Sequence, residues 1–276
     1  MKFKDKLLAA SRKNNSWLCI GLDPEPLKMP LGISRDVSGI EKFLKTIIDA
    51  THDLVCCYKP NSAFYENLGE TGLWLLHEII GCVPDEIPII LDAKRGDIGN
   101  TSKMYAKAAF DELGADAITV SPYLGYDSIA PFLDYPDKGI FILCLTSNPS
   151  AADFQKRIIT SADGRLMPLY EHVAEMARQW NQQGNIGLVV GATNHLELAR
   201  VRQITGDETP LLIPGVGAQG GDLESSIVNG GNAQGQLAII NVSRGILYVS
   251  AGTDFATKAR EAALAIVGQM RNIIGK

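Results

Sequence analysis

Eight short apolar runs, separated by segments with helical spacing, constrain the fold of this chain more than any other feature of its sequence. The predicted strands span residues 17–22, 54–58, 87–91, 116–120, 139–145, 186–190, 211–213 and 237–242. Strands that alternate with helices are typical of parallel α/β folds. At 276 residues, eight such units are expected to close into one (β/α)8 TIM barrel domain over residues 1–276.

The segments between these runs carry apolar residues at helical spacing. A short leader helix is expected at residues 7–16, and further helices at 36–49, 72–83, 99–113, 167–182, 194–204 and 253–274. Gly114 is expected to end one helix, and Asn194 with Glu197 resembles a capping box that begins another. The polar stretch from residue 149 to 164 is long enough to form a lid. A doubly wound open sheet is the structural alternative, but it would leave two apolar edges to protect.

Composition and charge narrow the class of protein. Hydrophobic residues make up 46% of the chain, yet no run approaches the roughly 20 apolar residues of a membrane span. The first residues lack the apolar stretch of a signal peptide, so a cytoplasmic protein is expected. A net charge of -5 without a long basic run argues against a nucleic-acid surface. The ligand is therefore expected to be a small molecule.

The metal-ligating residue types show no spacing typical of a metal centre. The five cysteines are odd in number, have no C-x-x-C spacing and are expected to be reduced residues of the core. The four histidines are scattered without a pair at ligand spacing. Asp92 and Asp97 could bind a hard metal ion, but Lys59 and Lys94 would repel it. The sequence therefore predicts neither a metal nor an organic cofactor.

Three charged residues, Asp92, Lys94 and Asp97, follow the third predicted strand. Because side chains alternate across a strand, Asp92 and Lys94 are expected to point to the same side, and Asp97 follows within one turn of loop. Desolvated charges cost free energy, so such a cluster in a cleft indicates a functional site. A solvated salt bridge on a turn is the alternative.

Polar residues also follow other strands, and a TIM barrel gathers them at the C-terminal ends of its strands. The glycines of residues 214–221 let backbone N–H groups approach an anion. Gln219 adds a neutral donor to this loop, and Arg244, after the eighth strand, adds a bidentate cation. A glycine-rich loop alone is also a common tight turn. Together with Arg244, the loop predicts a phosphorylated substrate.

The motif D-x-K-x-x-D-I at residues 92–98, the glycine-rich residues 214–221 and Arg244 together resemble the orotidine 5'-monophosphate decarboxylase family. The resemblance covers nearly the whole chain, and residues 94–101 with the long segment after Ser147 are similar to its longer bacterial subgroup. It implies a carboxy-lyase that converts orotidine 5'-monophosphate to uridine 5'-monophosphate and carbon dioxide. This reaction is the last step of pyrimidine synthesis, and the family performs it without metal or organic cofactor.

The resemblance also implies roles for individual residues. Lys94 would donate a proton to C6 of the pyrimidine, flanked by Asp92 and Asp97, and Lys59 would hold Asp92 and hydrogen-bond the ribose. Asp97 and Thr101 would reach into the active site of the neighbouring subunit, which implies a homodimer.

Further residues are implied to bind the substrate. Ser243 stands where many members have glycine, and its backbone N–H would contact the phosphate. Asp23 would bind a ribose hydroxyl, and Ser147 would contact the pyrimidine beneath a closing loop. Pro214 would pack near the base, and Gln219 and Arg244 would hold the phosphate.

Two other functions remain open at the level of sequence. A sugar-phosphate decarboxylase or aldolase-like barrel shares the D-x-K-x-x-D motif but uses Mg²⁺ to hold an enediolate. A nucleotide-binding regulatory barrel would bind phosphate without turnover, since a phosphate site does not itself imply chemistry. The buried charge cluster predicted at Asp92 favours an enzyme, because a binding protein has little reason to bury it.

Overall fold

The computed structural model describes residues 1–217 and 220–275 of the chain. Eight of its strands form one parallel sheet in the order β2-β1-β10-β9-β8-β5-β4-β3, and β6 pairs with β7 in a separate hairpin. The strands are β1 (Leu18–Gly21), β2 (Cys57–Lys59), β3 (Ile90–Arg95), β4 (Ala117–Val120), β5 (Gly139–Leu145), β6 (Ile158–Thr160), β7 (Leu166–Pro168), β8 (Ile186–Val190), β9 (Leu211–Pro214) and β10 (Ala238–Val242).

The two end strands of the sheet, β2 and β3, meet and close it into a barrel. Tyr58 pairs with Ile89 and Asn61 with Asp92 through parallel bridges. The backbone N–H of Asp92 donates to the carbonyl oxygen of Pro60 at 2.9 Å. The (β/α)8 prediction is confirmed, and the doubly wound alternative is wrong because both edges of the sheet are paired.

Helices alternate with the strands of the barrel, and the predicted leader helix is present as α1. Within the described residues, no helix is both long and apolar enough to cross a membrane. The helices are α1 (Phe3–Asn14), α2 (Val37–Thr51), α3 (Ser62–Glu66), α4 (Glu70–Cys82), α5 (Gly99–Lys107), α6 (Tyr126–Leu133), α7 (Leu169–Trp180), α8 (His195–Thr205), α9 (Leu223–Gly230), α10 (Arg244–Leu247) and α11 (Phe255–Ile274). The sequence does not predict α3, α6, α9 or α10, because helices of at most eight residues show too little periodicity.

The interior of the barrel is filled from its N-terminal end. The ring of Phe3 in α1 contacts the ring of Phe141 in β5 edge to face, with centroids 5.6 Å apart. Leu7 of α1 belongs to the same buried cluster, which extends to Val189 of β8 and Leu212 of β9. This packed layer excludes water from the lower barrel and supports the side chains above it.

Four of the five cysteines lie in the core, as the sequence predicts, whereas Cys82 is partly exposed. All five are free thiols, and four are buried: Cys19, Cys56, Cys57 and Cys144. Burial raises the pKa of each of these four thiols, so they stay neutral. They act as small apolar residues in the core.

The third strand differs most from its prediction. The sequence predicts a strand over residues 87–91 with the charges beyond it, whereas β3 spans Ile90–Arg95. Asp92 and Lys94 therefore lie within the strand. The apolar pattern ends at Leu91 because the next side chain that faces the interior, Asp92, is a carboxylate, and two lysines compensate its charge there.

The predicted lid, residues 149–164, contains regular structure that the sequence does not predict. A short 3-10 helix spans Pro149–Asp153, and β6 pairs antiparallel with β7. One face of this hairpin is solvent-exposed, with Ile158 at 62% and Leu166 at 75%, whereas Met167 on the other face is buried. Both faces of these three-residue strands carry apolar residues, so there is no alternation of apolar and polar residues to detect.

The capping box predicted at Asn194 and Glu197 is wrong. The side chain of Asn194 accepts no bond from the first turn of α8. Its Nδ2 donates instead to the carbonyl oxygen of Thr146 at 3.3 Å. Glu197 pairs with Lys156 at 2.6 Å. A contact with a residue distant in sequence has replaced the local one.

Arg202 of α8 joins several loops at the N-terminal end of the barrel. Among the residues that the structure describes, its buried guanidinium donates to four backbone carbonyls and to no carboxylate. Burial lowers the pKa of Arg202 to about 10. The acceptors are the carbonyl oxygens of Gly230, Gly206, Thr209 and Leu237, at 2.6, 2.8, 2.7 and 3.4 Å.

We expect Arg202→Met to lower the free energy of unfolding by about 3 kcal/mol or more, because it leaves several buried carbonyls without donors. Urea denaturation measures the change. Arg200→Met is the matched control, because Arg200 is 47% exposed and pairs with Glu171. A surface pair of this kind contributes about 0–1 kcal/mol. Equal losses in the two variants would contradict the assignment.

Candidate active site

A cavity of about 570 Å³ opens at the C-terminal ends of the barrel strands. Each of the eight sheet strands, or the loop after it, contributes to its wall. Its volume lies within the range of about 300–1,000 Å³ that is usual for small-molecule sites. Eight of the residues predicted from the sequence line it: Asp23, Lys59, Asp92, Lys94, Ser147, Pro214, Ser243 and Arg244.

The carboxylate of Asp92 lies at the centre of the charged side of the cavity. Lys59 Nζ lies 3.0 Å from its Oδ2, and Lys94 Nζ lies 2.6 Å from its Oδ1. Asn61 Nδ2 is 3.4 Å from Oδ2. The side chain of Lys59 is only 4% exposed, whereas that of Lys94 is 47% exposed and is open to the cavity. The cluster therefore has a fixed, buried part and an accessible ammonium.

The charges of this cluster stabilise each other. Burial alone would raise the pKa of Asp92, but the nearby Lys59 and Lys94 ammonium groups hold that pKa well below its usual range. Burial would likewise lower the pKa of Lys59, but the carboxylates of Asp92 and Asp23 raise it above its usual range. Asp92 is therefore ionised and Lys59 is protonated at neutral pH.

Thr119 of β4 is a member of the cluster that the sequence analysis missed. Its Oγ1 donates to Asp92 Oδ1 at 2.9 Å and accepts from the backbone N–H of Lys94 at 2.9 Å. Lys94 has a φ of +46°, in the left-handed region. The detectable signal was a single polar residue between Ile118 and Val120, on the interior face of an otherwise apolar strand.

The loop after β1 carries Asp23, and two tyrosine hydroxyls hold its backbone. Tyr65 donates to the carbonyl oxygen of Leu22 at 2.9 Å. Tyr248 donates to the carbonyl oxygen of Asp23 at 3.0 Å and accepts from the backbone N–H of Glu25 at 2.6 Å. The Asp23 carboxylate accepts from the backbone N–H of Asn61 at 3.2 Å and faces the cavity.

The predicted phosphate site lies at the ends of β9 and β10. Pro214, Ser243 and Arg244 line the cavity there, and Arg244 begins α10. Gly21 of β1 packs directly against Ser243, since a Cβ atom at Gly21 would lie 1.9 Å from the Ser243 Oγ. Gln219 lies outside the described residues.

Ser147 lies in the loop after β5 and lines the cavity between Thr146 and Asn148. The side chain of Gln155, in the lid, accepts from the backbone N–H of Thr146 at 2.7 Å. Gly191 packs under Ser147, where a Cβ atom would lie 2.7 Å from the Ser147 backbone nitrogen. The lid and the loop after β8 thus fix the backbone that carries Ser147.

Asp97 and Thr101 do not join the other predicted residues within one chain. Asp97 Oδ1 accepts from the backbone N–H of Ile98 at 2.8 Å, and neither Asp97 nor Thr101 lines the cavity. Thr101 is exposed on the first turn of α5. Lys94 is therefore in contact with one of the two carboxylates that the sequence assigns to it, Asp92.

The described residues include no group of three or more His, Cys, Asp or Glu side chains arranged to hold a metal ion. Both oxygens of Asp92 already contact ammonium groups. A metal ion at this carboxylate would have to displace Lys59 or Lys94. The arrangement instead offers positive groups to an anionic ligand and one carboxylate fixed beside the accessible ammonium.

The chain matches known proteins over nearly its full length. A family model described as "Orotidine 5'-phosphate decarboxylase / HUMPS family" matches residues 16–261. An orotidine 5'-phosphate decarboxylase of Dehalococcoides mccartyi is 54% identical over 274 residues, 99% of this chain and 97% of the relative. One of Herpetosiphon aurantiacus is 52% identical and covers 96% of both chains. The solved structure of Leishmania donovani OMP decarboxylase has a TM-score of 0.88, with 40% identity and 100% of both chains covered.

We expect ionised Asp92 to stabilise the fold at pH values above the usual titration range of an aspartate. This stabilisation should be lost as the pH falls. Its pKa is lower in the folded than in the unfolded chain, so the unfolded chain takes up the proton first. The difference in unfolding free energy between the wild type and Asp92→Asn should narrow below about pH 4, by up to about 1.4 kcal/mol per pH unit. Urea denaturation from pH 7 to pH 3 measures it. A constant difference would contradict the ion pairing.

Proposed function

Because this chain belongs to the orotidine 5'-phosphate decarboxylase / HUMPS family, we propose that it converts orotidine 5'-monophosphate to uridine 5'-monophosphate and carbon dioxide. This places it at the last step of pyrimidine nucleotide synthesis, in the cytoplasm. The observation that carries the proposal is the Asp92 carboxylate between the Lys59 and Lys94 ammonium groups, in the same cavity as Arg244. A phosphate site and a fixed ammonium at opposite sides of one cavity suit a phosphorylated substrate that develops negative charge at carbon.

The phosphate of the substrate binds at the ends of β9 and β10 in this proposal. Arg244 supplies a bidentate cation, Gln219 a neutral donor and Ser243 a backbone N–H. Around the barrel, β1 and β2 separate β10 from β3. The ribose therefore lies over β1 and β2, where Asp23 accepts from a ribose hydroxyl and Lys59 donates to another oxygen. The cavity lining at both positions supports this order.

The pyrimidine ring then lies over the remaining side of the cavity, near Lys94. Ser147 hydrogen-bonds the ring beneath the lid, and Pro214 packs beside the base. Three apolar side chains of the same wall, Leu143, Val189 and Leu212, support an uncharged environment for the ring. In this pose C6 and its carboxylate face the Asp92 and Lys94 pair.

The chemical step breaks the bond between C6 and its carboxylate carbon. The electron pair of that bond stays on C6, and carbon dioxide leaves. Lys94 stabilises the developing carbanion and donates a proton from Nζ to C6, which completes uridine 5'-monophosphate. Water then restores the proton of Lys94. Because Asp92 already holds the ammonium in place, little reorganisation is needed as the charge forms.

Lys94 alone does not supply the whole acceleration. Two unit charges about 4 Å apart interact by roughly 4 kcal/mol at an effective dielectric constant of about 20. The largest enzymatic accelerations correspond to about 20 kcal/mol or more. Contacts to the phosphate and ribose supply further binding energy, which closes the lid and holds the ring against Lys94.

We propose that the reaction needs neither a metal ion nor an organic cofactor. A barrel that holds an enediolate with Mg²⁺ needs carboxylates free to ligate the ion. Here both oxygens of Asp92 contact lysine ammonium groups, which favours the metal-free reaction. The positive groups stabilise the carbanion directly, in the place where a metal ion would otherwise act as a Lewis acid.

We further propose a homodimer in which Asp97 and Thr101 complete the partner's active site. Within one chain both residues lie outside the cavity. Apolar side chains are exposed on the same segment, with Ile98 at 58% and Met104 at 52%. Burying this surface against a second copy is favourable, and a two-fold axis would bring each Asp97 to the other subunit.

We expect Lys94→Ala to abolish decarboxylation while leaving the affinity for uridine 5'-monophosphate within about threefold of the wild type, because Lys94 acts on the charge that forms at C6. The fall in ultraviolet absorbance of orotidine monophosphate measures turnover, and calorimetry measures binding. Arg244→Ala is the matched control: it should weaken binding of the product by about tenfold or more. Near-normal turnover by purified Lys94→Ala would refute the assignment.

Mixing two inactive variants tests the shared active site. Lys94→Ala and Asp97→Ala should each be inactive alone, because each lacks a group in every site. After exchange of subunits, heterodimers contain one site with both defects and one with neither, so activity should return to about a quarter of the wild type. Steady-state turnover after mixing, with the dimer measured by sedimentation, checks this. No recovery despite subunit exchange would place both residues in the same site.

A further inference from the structure

We propose that Thr119 is a positioning residue for the reaction: its hydroxyl fixes the Asp92 carboxylate and the backbone of Lys94 relative to each other. This inference rests on the proposed role of Lys94 in decarboxylation. Thr119 is 1% exposed and its side chain belongs to the cavity lining, beneath the two charged residues. It is contributed by β4, the neighbour of β3 in the sheet.

The hydrogen bonds around this hydroxyl have one possible direction. An ionised carboxylate only accepts and a backbone N–H only donates. The Thr119 hydroxyl therefore donates its one proton to Asp92 Oδ1 and accepts from the N–H of Lys94, both at 2.9 Å. The same Asp92 oxygen accepts from Lys94 Nζ at 2.6 Å. The three residues form a closed ring that holds Lys94 at both its backbone and its side-chain end.

The backbone of Lys94 needs such a partner. The register between β3 and β4 shifts between Leu91 and Arg95, so the regular strand ladder is interrupted at Lys94. The φ of +46° at Lys94 lies in the left-handed region, which a residue with a side chain seldom adopts. A conformation of this kind persists only where surrounding contacts hold it. The Thr119 hydroxyl replaces the missing ladder acceptor and is one such contact.

The position of the Lys94 backbone decides where its ammonium lies in the cavity. If the backbone relaxed to an extended conformation, the Cβ direction would change and Nζ would move away from the reacting carbon. A displacement of about 1 Å costs about 100-fold in rate in a preorganised site. The loss would fall on the chemical step, because Thr119 is on β4, and β5 and β8 lie between β4 and β9, where the phosphate is proposed to bind.

We expect Thr119→Val, which keeps the shape of the side chain but removes the hydroxyl, to lower kcat by about 10- to 100-fold with KM within about threefold of the wild type. Thr119→Ser restores the hydroxyl and should return kcat to within about fivefold. If Thr119→Val does not fold, Thr119→Ala makes the same comparison. A normal kcat in the hydroxyl-free variant, a change confined to KM, or a serine variant as slow as valine would overturn the proposal.

Thr51→Val is the matched control. Thr51 is also fully buried, and its Oγ1 donates to the carbonyl oxygen of Ile47 at 2.7 Å and lies 2.7 Å from the hydroxyl of Tyr58. It lies at the end of α2, outside the cavity lining. Removing its hydroxyl should lower stability but leave kcat per folded molecule unchanged. If kcat fell equally in Thr51→Val, the lower kcat of Thr119→Val would reflect a general loss of stability, and the proposal would be overturned.

Hydrogen exchange separates this proposal from the proposed function. The amide of Lys94 should exchange at least about tenfold faster in Thr119→Val than in the wild type, and Thr119→Ser should restore its protection. This readout does not depend on turnover. If the wild type failed to decarboxylate orotidine monophosphate, the proposed function would fall. Unchanged exchange of the Lys94 amide would instead overturn the role of Thr119 while leaving the proposed function intact.

Discussion

The buried carboxylate of Asp92, held between two ammonium groups, is the interaction on which the rest of this structure depends. A charge in the interior is stable only when an opposite charge or hydrogen bonds compensate for the lost water, and each partner must come from a fixed position. Lys59 comes from β2 and Lys94 from β3, the two strands at which the barrel closes. The junction of β2 with β3 therefore both closes the barrel and brings Lys59 to Asp92, beside Lys94. The result is an ammonium that is already in place before a substrate arrives.

Backbone groups at the mouth of the barrel are held by side-chain hydroxyls. Where a strand ends or its register shifts, buried N–H and carbonyl groups lose their ladder partners and must find others. Tyr65 and Tyr248 supply them for the loop that carries Asp23, and Thr119 supplies one for Lys94. Each of these hydroxyls comes from an element distant in sequence. On this side of the cavity, several elements therefore hold the same short segments in place.

The differences between the sequence predictions and the structure have a common cause. The apolar periodicity of the third strand ends at residue 91 and predicts its end there, yet β3 continues through Asp92 and Lys94. Asn194 matches a capping box in sequence, but its side chain bonds Thr146 of another loop. A polar residue after an apolar run usually marks the end of a strand or the cap of a helix. In this protein, Asp92 and Asn194 are instead paired with groups from other strands and loops.

By itself, the sequence determined the (β/α)8 architecture and the motif that carries the charges. Alternating burial leaves a periodic trace in the residues of each strand and helix, and the spacing of Asp92 and Lys94 places both on one face. Only the tertiary structure decided that Thr119 would contact Asp92, and that Lys94 would take a left-handed backbone. These features depend on the register between strands, which is set by the packing of the whole barrel. No local pattern of residues encodes that register.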